Sequence, residues 1–335
     1  MGVKLRDLVH PGKLHLSELK GRRVALDAYN MLYQFLATIR QADGHPFTDA
    51  EGRVTSHLVG VLYRTASMLE RGVLPVWVFD GKPSDLKSST LRARAMVKEK
   101  AQRAWNEALA AGDLETARKK AAQTSRLTRE MVADAQAVLS AMGTPWVQAP
   151  SEGEAQAAFM AEKGDVWAAA SEDYDTLLFG APRLLRGLGS ARSASRGDDA
   201  EVEFLEVGKV TQELGISREE LILIGVLIGT DFNEGVPGIG PKKAMKLVAE
   251  HQGWEATLQK AGVDPTGLDP VRDLFLHPAT TEDYHLQWKA PDTAKVLELL
   301  VTGHGFGADR VQKVLDRLPK SAPSSGVQTS LEAFG

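Results

Sequence analysis

The sequence predicts an α/β fold, a central mostly parallel twisted sheet with helices on both faces, and three observations carry that expectation. Short apolar runs such as VALD, VLPVWVFD and DVWAAAS alternate with longer segments of helical periodicity, the rhythm of parallel strands joined by crossover helices. Carboxylates follow several of these runs, where a parallel sheet gathers the ends of its strands along one edge. A long polar stretch over residues 82–130 breaks the rhythm and reads as an insertion standing off the sheet.

In chain order, RRVALD is predicted as a strand, AYNMLYQFLATIR and HLVGVLYRTASMLERG as helices, and VLPVWVFD as a second strand. The insertion is helical by content, with LRARAMVKEKAQRAWNEALAAG followed by LETARKKAAQTSRL, and is poor in core-forming residues. REMVADAQAVLSAMG resumes the α/β pattern as a helix, TPWVQA as a strand, SEGEAQAAFMAEKG as a helix and DVWAAAS as a strand. TLLFG, RLLRGL and EVEFLEV are expected as short strands. In NEGVPGIGPKKAMKLVAEHQG, Gly235, Gly238 and Gly240 fall where the chain must turn tightly, and Pro241 opens a helix at its first position. Residues 253–318 look helical and charged, with HLQWKAPD as a loop, and residues 320–326 are a Ser- and Pro-rich linker. The expected organisation is one unit over 1–318, in which 1–81, an insertion at about 82–135 and 136–260 follow one another, with a helix-hairpin-helix element at about 221–250. A flexible tail over 319–335 completes it.

With no cysteine among 335 residues, disulfides, zinc ribbons and thiol catalysis are excluded. The first residues lack the apolar stretch of a signal peptide, and the longest apolar run, residues 221–229, is too short to cross a bilayer, so a cytoplasmic protein without membrane contact is expected. The net charge of −4 argues against a nucleic-acid binder until its distribution is read. Residues 82–130 hold 12 Lys and Arg against 6 Asp and Glu, leaving the rest of the chain at −10. That polarity points to a polyanionic partner.

Seven carboxylates carry the chemistry: Asp27, Asp80, Glu152, Glu154, Asp173, Asp175 and Asp231. Asp and Glu are common at strand ends and helix starts as turn-formers and caps, and Ser151 with Glu154 fits a capping box. Collectively they fit a metal site better. Neighbouring carboxylates raise one another's pKa and call for compensation, which hard divalent cations with oxygen ligands, Mg²⁺ or Mn²⁺, supply. Glu152 with Glu154 and Asp173 with Asp175 repeat an i, i+2 spacing, which on a strand end places both side chains on one side. Two such pairs and three single Asp residues suit two adjacent metals. In the glycine-rich hairpin, backbone N–H groups at the helix start, with Lys242, Lys243 and Lys246 nearby, form a phosphate site; the alternative is a plain helix connector. Gln328, Leu331 and Phe334 have the spacing of a short peptide that docks into a groove, the alternative being a frayed tail.

Together the stretches DAYNMLYQFL, GRVTSHLVGVLYRT, VFDGKPSDLK, QAPSEGEAQAA, ASEDYDTLLFGAPRL and GTDFNEGVPGIGPKKA resemble the flap endonucleases, most of all their archaeal members, nearly end to end. These are structure-specific 5′ nucleases of the group that includes the nucleotide-excision 5′ incision nuclease. The resemblance implies a PIN-like 5′ nuclease fold, with the seven carboxylates holding two Mg²⁺ ions, for which Mn²⁺ can substitute. It further implies that Lys87 and Arg94 face the scissile phosphate, that Tyr33 stacks on the nucleotide there, and that Gly2 lies close to the site once Met1 is removed. By the same resemblance the insertion is the helical arch that gates a 5′ flap, and the GVPGIG hairpin grips the downstream duplex, often with a K⁺ ion. The implied protein is a nucleoid-associated prokaryotic monomer acting on branched DNA with 5′ flaps in Okazaki fragment maturation and repair. It would cut by two-metal-ion hydrolysis, as an endonuclease and 5′–3′ exonuclease, with residues 328–335 docking a sliding clamp. Gly335 stands where the family usually has a second aromatic, which weakens that docking. Two other readings remain: a same-scaffold exonuclease or bubble-cutting repair nuclease, and a catalytically inactive, clamp-associated DNA-binding scaffold.

Overall fold

In the computed structural model, which describes residues 2–189, 200–251 and 253–319, the chain is built on seven strands. They are β1 (Gly12–His15), β2 (Arg23–Asp27), β3 (Leu74–Phe79), β4 (Trp146–Gln148), β5 (Ala168–Ala170), β6 (Arg183–Arg186) and β7 (Glu201–Glu206). The sheet runs β1-β7-β6-β5-β2-β3-β4. β4, β3, β2, β5 and β6 are mutually parallel, and β7 and β1 close one edge antiparallel. The central strands are covered on both faces, which is why they read as continuous apolar runs: all six residues of LPVWVF and all three of β5 are buried.

Helices α1 (Ala28–Thr38), α2 (Ser56–Glu70), α5 (Arg129–Ala141) and α6 (Gly153–Glu162) flank the sheet. Asp27 caps α1 by accepting from the Asn30 N–H, and Thr128 caps α5 by accepting from the Met131 N–H. Phe35 of α1 packs against Trp77 of β3 at 6.3 Å between ring centroids. Between Phe79 and Ala135 no fully buried side chain joins this core among the described residues. The insertion instead forms α3 (Ser88–Ala110) and α4 (Leu114–Ala121), which share a small core of Trp105, Ala108, Ala117 and Ala121. Among the described residues no helix is long and apolar enough to cross a membrane.

The structure departs from the sequence reading in four places. TLLFG is not a strand; Asp175–Leu178 is a single helical turn, α7, because a five-residue apolar run carries no usable periodicity. β1 had no signal in GKLH, since its place is decided by antiparallel pairing with β7, 190 residues away (Lys13 opposite Glu203). HLQWKAPD is a loop as expected, but the irregular segment starts earlier than expected and runs from residue 277 to 292, so residues 277–284 are not helical. It is tied down where Gln156 exchanges two hydrogen bonds with Thr281 and where the Trp288 indole N–H donates to the Pro75 carbonyl. In the hairpin, Gly235 and Gly238 take positive φ (74° and 75°), but Gly240 is extended at φ −95° and faces open space, so no tight turn requires it.

Candidate active site

β2 lies at the point where the strand order reverses, with β3 on one side and β5 on the other, so the loops leaving their carboxyl ends open a crevice there. Asp27 is the last residue of β2, Asp80 follows β3, and Ser171, Asp173 and Asp175 follow β5. The start of α6 adds Glu152 and Glu154, and Asp231 follows the helix Arg218–Ile228. Gly153 lets α6 approach: a Cβ there would stand 2.7 Å from Asp80 Oδ1, which instead accepts from the Gly153 N–H at 2.8 Å.

The seven carboxylates act on one another. Burial, then the Asp80 charge, pushes Asp27 up to about 8. Burial and Glu152 push Asp80 to about 6. Asp175 reaches about 7, mainly through burial, against the Val3 N–H that it accepts at 2.6 Å and with Asp231 adding repulsion. Glu154 is raised well above the usual carboxylate range by burial and by Asp173, Asp27 and Asp175. Every one of the seven is therefore linked to another in the set.

Several oxygens are already oriented. Asp27 Oδ1 accepts from the Asn30 N–H at 2.9 Å, and Asp173 Oδ1 accepts from the Gly2 N–H at 2.9 Å, which puts Gly2 at the cluster. Glu152 and Asp231, the two members on the side of the insertion, meet its cations. Lys87 Nζ lies 2.6 Å from Glu152 Oε2 and 3.8 Å from Asp231 Oδ2, and an Arg94 N–H reaches both Asp231 oxygens at 2.6 Å. Burial would lower the Lys87 pKa, but Glu152, Asp80 and Asp231 hold it above the ordinary lysine value, so Lys87 is charged. Tyr33 on α1 is partly buried and close enough to Arg94 and Asp80 to feel both, with Lys98 Nζ 4.6 Å above its ring.

The structure departs from the expected spacing of these residues in two respects. Neither i, i+2 pair lies on a strand: Glu152 and Glu154 open α6, while Asp173 and Asp175 sit in the turn before and within α7. A tight turn and a helix start, not pleat geometry, bring each pair together. Ser151 and Glu154 form no capping box, because the N-cap of α6 is Glu152 and no side chain caps it. Glu154 is directed into the cluster instead, toward the Ser171 and Thr176 hydroxyls, which the sequence reading passed over. Ser171 had a signal, the first position of SEDYDT; Thr176 was hidden inside a segment misread as a strand.

The residues fit divalent cations of oxygen chemistry. Every donor is an oxygen, and burial with mutual repulsion raises several of the carboxyls, a cost that a bound cation would relieve. Among the described residues no three of these side chains close around a single point. Such an open constellation suits Mg²⁺, which keeps several waters and takes one or two carboxylates rather than an all-protein cage. The hairpin residues do not join the cluster. Lys242 and Lys243 are exposed on the first turn of the helix Pro241–Glu250, and Lys246 pairs with Glu250 at 3.6 Å. Gln328, Leu331 and Phe334 lie outside the described residues, as does Met1.

The raised carboxylates give a pH dependence of known sign. A carboxyl whose folded pKa is raised stabilises the fold most below its unfolded value near 4, and the contribution is lost as pH rises through the folded value of 6–8. Metal-free protein is therefore expected to lose stability between pH 5 and pH 7, by about 2–3 kcal/mol from Asp27 alone. Thermal melts in chelator should show it, Mg²⁺ should restore more stability at pH 7 than at pH 5, and Asp27→Asn should flatten the metal-free trend. A Tm in chelator that rises across this range would refute it.

Comparison with known proteins places these features in a context. Residues 1–101 match the XPG N-terminal domain and residues 143–231 the XPG I-region. The flap endonuclease 1 of Hyperthermus butylicus is 48% identical over 347 residues, covering 100% of this chain and 99% of that protein. That of Methanosarcina barkeri is 46% identical and covers 100% of both. Among solved structures, a flap endonuclease 1 from Methanococcus jannaschii superposes with a TM-score of 0.73 at 41% identity, covering 94% of this chain and 97% of that one. The catalytic core of Rad2 shares the fold at a TM-score of 0.72 and 24% identity, covering 95% of this chain and 100% of that one.

Proposed function

The chain belongs to the flap endonuclease family, and on that premise we propose a specific division of labour for a structure-specific nuclease that cleaves DNA flaps. The observation that carries it is the crevice at the strand-order reversal, where seven carboxylates meet two cations delivered by the insertion. Asp27, Asp80, Glu152, Glu154, Asp173, Asp175 and Asp231 hold two divalent cations, Mg²⁺ or Mn²⁺. When bound, these supply Lewis-acid stabilisation and an activated water for hydrolysis of a phosphodiester.

The chain's own residues do the rest. Lys87 and Arg94 exchange their carboxylate partners for the scissile phosphate and stabilise the charge that develops on it. Tyr33 trades the Lys98 ammonium on its ring for a nucleobase. The main-chain N–H groups of Gly2 and Val3 hold Asp173 and Asp175 in place. α3 and α4 rise from the crevice on a core of their own, which supports the reading of an arch over a 5′ flap. The exposed lysines at the start of the helix Pro241–Glu250 contact duplex phosphates without reading bases. A K⁺ ion at the hairpin, a clamp-docking tail over 328–335 and a monomeric state complete the proposal; their support is the family resemblance alone.

The test is a panel of end-labelled single-flap, gapped, bubble and blunt duplex DNA incubated with the protein and Mg²⁺, with cuts mapped. Cleavage at the flap junction, leaving a 5′ phosphate, is the expected result; preferential cutting of bubbles would move the chain to the repair-nuclease reading. In the same assay Lys242→Ala with Lys243→Ala should weaken binding and lower the salt slope by about 1–2 while leaving the saturated rate intact. An unchanged slope would remove the hairpin from the phosphate contacts.

A further inference from the structure

We infer that the hydroxyls of Ser171 and Thr176 are positioning groups that hold Glu154 ready to take a divalent cation. The inference rests on the reading of Glu154 as a ligand and adds what holds it. Ser171 Oγ lies 2.7 Å from Glu154 Oε1, and Thr176 Oγ1 lies 3.0 Å from the same oxygen. Both hydrogen bonds fall on Oε1, and among the described residues Oε2 accepts none, so one oxygen is anchored and the other is left without a donor.

Proton counting gives the directions. A hydroxyl has one proton to donate. Ser171 Oγ accepts from the Asp173 N–H at 3.1 Å, so its proton goes to Glu154 at 2.7 Å in preference to Asp27 Oδ2 at 3.3 Å. The Thr176 proton chooses between Glu154 Oε1 at 3.0 Å and the Asp173 carbonyl at 3.2 Å. Thr176 is fully buried and Ser171 nearly so, at 7% exposure, so water competes little for either bond. The two groups come from different elements, the end of β5 and α7, and grip a side chain from a third, α6.

The chemistry of the holder separates Glu154 from its neighbours. Glu152 and Asp231 are held by Lys87 and Arg94, whose charges cancel theirs and which must let go for those oxygens to serve a metal. Neutral hydroxyls orient a carboxylate while leaving its charge available to a cation. Glu154 is thus preset, and the insertion can move without disturbing it.

Mn²⁺ titration of the full-length protein by calorimetry, without DNA, tests this. Thr176→Val, which keeps the shape and removes the proton, and Ser171→Ala should each weaken Mn²⁺ binding by about 10-fold or more, the range for loss of a group that orients a ligand. Thr176→Ser should retain the affinity. Glu154→Gln is the control for the premise. If Glu154→Gln weakens binding and Thr176→Val does not, the hydroxyls are ordinary packing and the inference is overturned. If Glu154→Gln itself leaves the affinity unchanged, it is the ligand reading of Glu154 that falls.

Discussion

Replacing Asp80 by Ala is expected to lower the single-turnover rate of flap cleavage by about 10³-fold or more, with affinity for the junction unchanged or higher. Asp80 is close enough to raise Asp27 and to be raised by Glu152, and its Oδ1 is oriented by the Gly153 N–H, so its loss removes an oriented oxygen from the cluster. A bound divalent cation contributes several kcal/mol to the transition state, and about 4 kcal/mol corresponds to roughly 10³ in rate. Binding moves the other way because a carboxylate facing phosphate repels it. Asp173→Ala should behave alike; here the Gly2 N–H also loses its acceptor. Rapid-quench cleavage with matched binding isotherms makes the measurement, and a near wild-type rate in either variant would remove that residue from the proposed metal site.

The second large effect concerns the insertion. Lys87→Ala and Arg94→Ala should each slow the chemical step by about 10²–10³-fold, the usual cost of removing one preorganised donor from developing charge, while junction affinity falls only slightly. The small effect on binding follows from number, since one phosphate among many is involved. In the DNA-free protein the same substitutions free Glu152 and Asp231 from their partners, so Mg²⁺ binding without DNA should not weaken. A loss of affinity with unchanged single-turnover rates would make both residues ordinary backbone contacts.

Much of this molecule is legible in its amino-acid sequence. The alternation of apolar runs with amphipathic segments announced the parallel sheet, because a strand buried on both faces has to be apolar throughout, as LPVWVF and the alanines of β5 are. The insertion announced itself by charge and by poverty in core residues, and it does pack on a separate small core. Asp27 and Asp80 stand out in the sequence because each closes an apolar run that becomes a strand, whereas Glu152, Glu154, Asp175 and Asp231 sit at helix ends that such runs do not mark.

What the sequence could not decide was anything that depends on approach between elements. The strand order, and so the crevice, follows from packing over the whole core. Edge strand β1 exists only through its partner β7, and α7 forms where the chain turns back after β5. The pairing of Lys87 and Arg94 with Glu152 and Asp231, and the grip of Ser171 and Thr176 on Glu154, join residues up to 137 positions apart. A local pattern records only whether a residue is buried and which way the chain turns; burial, mutual repulsion and the choice of hydrogen-bond partner belong to the assembled crevice, so the tertiary structure alone sets how this site holds its charge.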